Sequence, residues 1–224
     1  MQVLTSPTST LSRILPLGDS LVVGYQNVGG APLWNGGWRL PLQNMMLAAG
    51  KKFEFMGAQF LNSTNMQWPY HEGVGSQRID QILARAMLLP DSPAPDVILL
   101  GAGINAFYYY TVDPVTYPIA SVQSDYTAML DALFAKWPSC KICCDTIGQF
   151  FGTFAAMQAL TELTDFNNYI IALPGSHPNG ANIKAVQFHT LITNTNLTGD
   201  GLHPIGWTYQ LMAYRWWAAL KTLI

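Results

Sequence analysis

The sequence predicts an α/β protein, a three-layer α/β/α sandwich around a central parallel sheet of about five strands. Short apolar runs alternate along the chain with stretches of helical periodicity, the rhythm of βαβ units. The run Asp96 to Leu100 (DVILL) is almost wholly apolar, as expected of a strand covered on both faces. The unusual polar residues fall just after strands, where parallel sheets gather their reactive groups.

In chain order, Arg13 to Leu17 (RILPL) reads as the first strand and runs into the tight turn Gly18-Asp19-Ser20. A helix over about Arg39 to Ala49 leads to Lys52 to Met56 (KFEFM), which alternates with the period of two that marks a strand. Ile79, Ile82, Leu83, Ala86 and Met87 make one face of an amphipathic helix, stopped by Pro90 and the turn-rich DSPAPD. Asp96 to Leu100 follows as a strand, then a helix from Val122 to Trp137 and a strand at Lys141 to Thr146. A helix near Ala155 to Leu173, a strand at Ala185 to His189 and a helix from about Ile205 complete the pattern. The 224 residues read as one domain, 1–224, with 1–11 as a flexible N-terminal segment.

Composition narrows the function classes. Eleven Lys and Arg stand against 13 Asp and Glu, and only 11% of residues are charged while 50% are hydrophobic. A nucleic-acid binder needs a basic stripe to displace counterions, and none is present. No run approaches the roughly 20 apolar residues of a membrane-spanning helix, and the first residues lack the apolar core of a signal peptide. Cys140, Cys143 and Cys144 are too close together for a disulfide framework and read as buried strand residues. His71-Glu72 begins like a zinc-binding H-E-x-x-H, but position 75 is glycine, so no metal or other cofactor is expected.

Three strand ends carry chemistry. Ser20 stands on the first strand-to-helix turn, Gly103-Ile104-Asn105 follows a central strand, and Asp200-Gly201-Leu202-His203-Pro204 follows the last. The D-x-x-H spacing sets a carboxylate against an imidazole over a short turn. Nucleophile, base and orienting group are the parts that acyl transfer requires. No G-x-S-x-G occurs, which excludes the α/β-hydrolase nucleophile elbow as the source of the serine.

These blocks resemble the SGNH/GDSL hydrolase superfamily, and more closely carbohydrate esterase family 3, the acetylxylan-esterase-like branch. RILPLGDSLVVGY looks like that branch's first block, GGWRLPLQNMMLAAGKKFEFMGAQ like its next stretch and HEGVGSQRIDQI like its second block. GDSL, G-x-N and D-x-x-H-P stand in the family's order, over residues 13–105 and 199–204. The resemblance implies a flavodoxin-like SGNH fold. It also implies Ser20 as nucleophile, His203 as base and Asp200 as its orienting carboxylate. The oxyanion would be met by the N–H of Ser20, a backbone N–H at Gly75 or Ser76 and the Asn105 amide. Ungapped alignment favours Ser76. Ala106 stands where the family usually has aspartate, which bears on the rigidity of that block.

Asp19, His71, Glu72 and Tyr108 are candidates for the substrate cleft. Tyr108, Tyr109 and Tyr110 carry two readings on a loop after Asn105, a face for sugar rings or ordinary packing. The function implied is a metal-free serine esterase removing short acyl groups, acetyl foremost, from carbohydrates. Its partner would be a small-molecule or polysaccharide ester. Rival readings are a lipase-, arylesterase- or thioesterase-like hydrolase and a non-catalytic carbohydrate-binding module. Family resemblance implies secretion, and oligomeric state is left open.

Overall fold

A computed structural model describes residues 11–28 and 31–224. The expected flexible segment at 1–11 therefore lies, save for Leu11, outside the described residues. The elements are β1 (Ser12–Gly18), α1 (Ser20–Val23), β2 (Tyr25–Val28), β3 (Ala31–Trp34), α2 (Arg39–Ala48), β4 (Phe53–Phe55), β5 (Glu72–Gly73), α3 (Ile79–Leu88), β6 (Val97–Gly101) and α4 (Ile104–Val112). They continue with α5 (Val122–Lys136), β7 (Lys141–Asp145), α6 (Ala155–Gln158), α7 (Thr161–Ser176), β8 (Ile183–Val186) and α8 (Gly206–Leu220).

The central sheet is parallel, in the order β4-β1-β6-β7-β8, and the two-residue β5 pairs with the end of β1. Strand alternation divides its side chains between two cores. Leu15, Leu17, Ile98, Leu100, Ile142 and Cys144 face α3, α5 and α7. Ile14, Val97, Leu99, Cys143 and Val186 face α2 and α8. Each such large apolar side chain removed from water contributes about 1.5–3 kcal/mol, which accounts for two helical layers clamped on one sheet. All three cysteines are free and buried.

Several elements differ from the sequence expectation. The predicted helix over 155–173 is two helices, α6 and α7, with Leu160 extended between them. The last strand is Ile183–Val186 rather than Ala185 to His189. Tyr108 to Tyr110 lie inside α4, not on a loop. The antiparallel pair β2–β3 was not anticipated.

Candidate active site

Ser20 sits where β1 turns into α1. Gly18 has φ +155, and a Cβ there would lie 2.0 Å from the carbonyl oxygen of Gly101. Only glycine lets β1 approach β6 this closely while the chain reverses. The four residues of α1 are too few to hold a helix by themselves. Asp19 caps it by accepting from the Leu21 N–H (3.0 Å), and Gly24, in the left-handed region at φ 83, returns its N–H to the Ser20 carbonyl (3.0 Å). Burial of Val22 and Val23 anchors it to the core. The serine hydroxyl is thereby presented on the carboxyl rim of the sheet.

His203 and Asp200 arrive on the segment between β8 and α8. The Thr198 N–H donates to the His203 carbonyl (2.7 Å), closing a tight loop. Within it, one oxygen of Asp200 accepts from the N–H of Leu202 (3.0 Å), the N–H of His203 (3.0 Å) and the Thr198 hydroxyl (2.7 Å). Its other oxygen lies 2.8 Å from His203 Nδ1. Burial pushes the Asp200 carboxyl up, but these donors outweigh it and hold the group below the usual carboxylate range. A carboxylate can only accept, so His203 Nδ1 carries the proton and Nε2 is left with its lone pair. That lone pair faces Ser20 Oγ at 2.9 Å. Burial lowers the pKa of His203 below the ordinary imidazole value, although Asp200 works against that shift, so the ring is mostly neutral at pH 7.

The imidazole is also packed from the side. The Tyr25 ring lies 4.4 Å from the His203 ring, centroid to centroid, and the Tyr209 hydroxyl donates to the Tyr25 carbonyl (2.7 Å). Gly201 has φ 78, and any side chain there would run into the Phe151 carbonyl.

The oxyanion candidates surround Ser20 from β5 and β6. The Val74 N–H donates to the Gly18 carbonyl (3.1 Å), which draws the 74–77 loop over the end of β1. A Cβ on Gly75 would lie 3.9 Å from that of Ser20. Ser76 is exposed and in the left-handed region at φ 61. Asn105, in the first turn of α4, is buried, and its Nδ2 donates to the Gln77 carbonyl (3.0 Å), which leaves one amide hydrogen for a ligand.

A cleft of about 210 Å³ opens beside Ser20, bounded by Val23, Tyr25, Leu61, Asn62, Val74 and Gly75, with Gln59, His71 and Gly73 completing it. Of the four expected cleft residues, His71 lines it. His71 Nδ1 accepts from the Gly73 N–H (3.0 Å) and its Nε2 lies 3.0 Å from the Leu61 carbonyl, so the ring is a neutral brace. Burial and the nearby Arg39 charge press its pKa down to about 3. Glu72 is buried, accepts from the Ala58 N–H (2.7 Å) and is paired with Arg85. Tyr108 packs against Tyr109 and Phe154. Asp19, 1% exposed, lines a separate small cavity with Asp145 at the end of β7. Burial raises Asp19 to about 7, and burial with the Asp19 charge raises Asp145 well above the usual range.

Among the described residues, no three His, Cys, Asp or Glu side chains converge as metal ligands, and no helix is long and apolar enough to cross a membrane. Thr198, Tyr25 and Arg39 are contributors that the sequence did not point to. Tyr25 and Arg39 each had a local sign, Tyr25 as the end of the RILPLGDSLVVGY block and Arg39 in the GGWR segment of the next family-like stretch.

The sequence model of the GDSL-like lipase/acylhydrolase family matches residues 14–216. The chain belongs to this family. No curated protein matches its sequence. Among solved structures, this acylhydrolase is similar to a family 3 carbohydrate esterase of Clostridium thermocellum, at 19% identity with a TM-score of 0.75, covering 96% of this chain and 98% of that one. It is also similar to a carbohydrate esterase family 3 protein of Talaromyces cellulolyticus, at 21% identity with a TM-score of 0.72, over 95% and 97% of the two chains. The lipase Lip_vut3 from a goat rumen metagenome follows, at 18% identity with a TM-score of 0.66, over 93% and 97%. At these identities the likeness speaks for the fold, the three-layer α/β/α architecture of SGNH hydrolases. Family and fold together make the chain an ester hydrolase.

Proposed function

We propose that this acylhydrolase is a serine esterase that removes short acyl groups, acetyl foremost, from carbohydrate hydroxyls. The observation that carries the ester chemistry is the hydrogen-bonded line from Ser20 through His203 to Asp200. Ser20 Oγ attacks the ester carbonyl as His203 Nε2 takes its proton. The tetrahedral oxyanion is met by the N–H of Ser20, the N–H of Gly75 and the free amide hydrogen of Asn105. Proximity to Ser20 favours Gly75 for the second donor, against Ser76, the choice of the ungapped alignment. His203 then returns the proton to the departing alcohol. Water, deprotonated by the same imidazole, cleaves the acyl-enzyme and frees the acid.

The acetyl-carbohydrate preference is supported by the motif resemblance to carbohydrate esterase family 3 and by a cleft small enough to suit short substrates. A p-nitrophenyl ester series from acetate to octanoate, run beside acetylated xylan and acetylated sugars, tests it. Highest kcat/KM on acetate, with acetate release from the sugars, is expected. Activity rising beyond butyrate overturns the acetyl reading in favour of a lipase- or thioesterase-like hydrolase. Fluorophosphonate labelling tests the mechanism itself. A folded protein whose Ser20 peptide stays unmodified would be a non-catalytic member.

The pH dependence follows from His203. The base must be neutral, and burial holds its pKa below 6.5. Activity is therefore lost as pH falls through a midpoint below 6.5, and at pH 6.5 more than half of the plateau remains. A kcat/KM profile from pH 4.5 to 8.5 checks this, and a midpoint above 7 contradicts it.

A further inference from the structure

One buried charge near the cleft takes no part in the steps above. Arg39, 0% exposed, enters none of the ion pairs found among the described residues. A guanidinium has five N–H donors in a fixed fork, and here each meets an oxygen. Nε donates to the Val22 carbonyl (2.9 Å), and Nη2 to the carbonyls of Val23 (3.1 Å) and Asn62 (3.2 Å). Nη1 donates to the Pro69 carbonyl (3.1 Å) and the Ser63 hydroxyl (3.1 Å). A buried cation without a counter-charge is costly unless its hydrogen bonds are complete, and this one is complete.

The acceptors belong to two places. Val22 and Val23 end α1, the helix that begins with Ser20. Asn62, Ser63 and Pro69 belong to the loop that walls the cleft through Gln59, Leu61 and Asn62. That loop is closed at its base by reciprocal backbone bonds between Gln59 and His71 (2.9 Å each). Gln43, one turn beyond Arg39 on α2, accepts from the N–H groups of Gln67 (2.9 Å) and Trp68 (3.1 Å). Phe60 and Leu61, directly after that closing pair, are each 62% exposed. Met66 and Trp68 seat the far part of the loop on the α2/α8 core, the Trp68 ring 4.6 Å from that of Phe53, and Arg39 ties the loop by hydrogen bonds to the helix that carries Ser20.

We infer that Arg39 is a positioning residue for substrate: it fixes the loop over residues 59–71 to the nucleophile helix, and so sets the width of the cleft and which esters it binds. This rests on the serine-esterase reading. Arg39 touches neither Ser20 Oγ nor His203, so it governs substrate fit rather than proton transfer.

The test is Arg39→Lys, which keeps the charge but offers three donors from one atom to acceptors that are spread around a fork. With p-nitrophenyl acetate and p-nitrophenyl butyrate, KM is expected to rise about 10-fold or more while kcat changes less than about 3-fold. The limiting rate of Ser20 labelling by a small fluorophosphonate at saturation should stay near wild type. Wild-type KM in the folded variant overturns the inference. So does a parallel fall in kcat and limiting labelling rate, which would make Arg39 a support of the triad itself. Should Arg39→Lys fail to fold, Ser63→Ala decides. It removes one loop-side partner and is expected to raise KM about 2- to 3-fold at constant kcat, and an unchanged KM overturns the inference. Failure of the esterase reading is distinguishable, because the wild type would then neither label nor turn over.

Discussion

Ser20→Ala is expected to lower kcat for p-nitrophenyl acetate by roughly 10⁴- to 10⁶-fold while leaving the fold intact. The substitution removes one oxygen and its hydrogen bond to His203 Nε2. It leaves the cap of α1 in place, since that cap comes from Asp19, and alanine suits a helix at least as well as serine. The imidazole keeps its bond to Asp200. Melting temperature should therefore shift little, and fluorophosphonate should no longer label the site. Residual activity above about 1% of wild type would mean that another group attacks the ester.

Asp200→Asn should cost about 10⁴-fold in kcat, again in a folded protein. One oxygen of Asp200 accepts three donors, the N–H groups of Leu202 and His203 and the Thr198 hydroxyl. An asparagine oxygen satisfies them only from that same position. Its NH₂ is then forced to face His203 Nδ1, where Asp200 now accepts. Nδ1 must become the acceptor, and the imidazole proton moves to Nε2, against the Ser20 hydroxyl. The base is present but in the wrong tautomer. Single-turnover kinetics of acylation would show the loss directly, and a defect smaller than about 100-fold would argue that Asp200 only braces the loop. Asp200→Ala is the poorer test, because it strands three donors and disturbs the loop as well.

Much of this site could be read in the sequence because its parts are local. Gly18-Asp19-Ser20 is a turn written in three letters, and Asp200 and His203 lie one loop apart. The buried strands were equally plain, since an apolar run such as Val97 to Leu100 has few other homes. β8 was displaced for a physical reason. It has a neighbour on one side only, Lys184 and Ala185 are half-buried, and the apolar Phe188 beyond it is buried against Trp216 (5.2 Å). A buried residue in a turn therefore imitated the strand's continuation. α4 escaped because INAFYYYTV is apolar on nearly every side and gives no helical stripe. The β2–β3 pair had a sign in Gly29-Gly30, a dipeptide common in hairpins. Arg39 could not be read from periodicity, because its loop partners lie 23 to 30 positions away. Thr198, two residues before Asp200, had no pattern to mark it.

The hydrogen bond between Ser20 and His203 spans 183 positions of the chain. During synthesis Ser20 is therefore made well before its partner His203. A chain that stops short of His203 holds Ser20 without this hydrogen bond. Tyr209, which braces Tyr25 beside the imidazole, is made later still. On the proposed mechanism, ester cleavage in a translation mixture counts chains extended past His203 rather than all that were initiated.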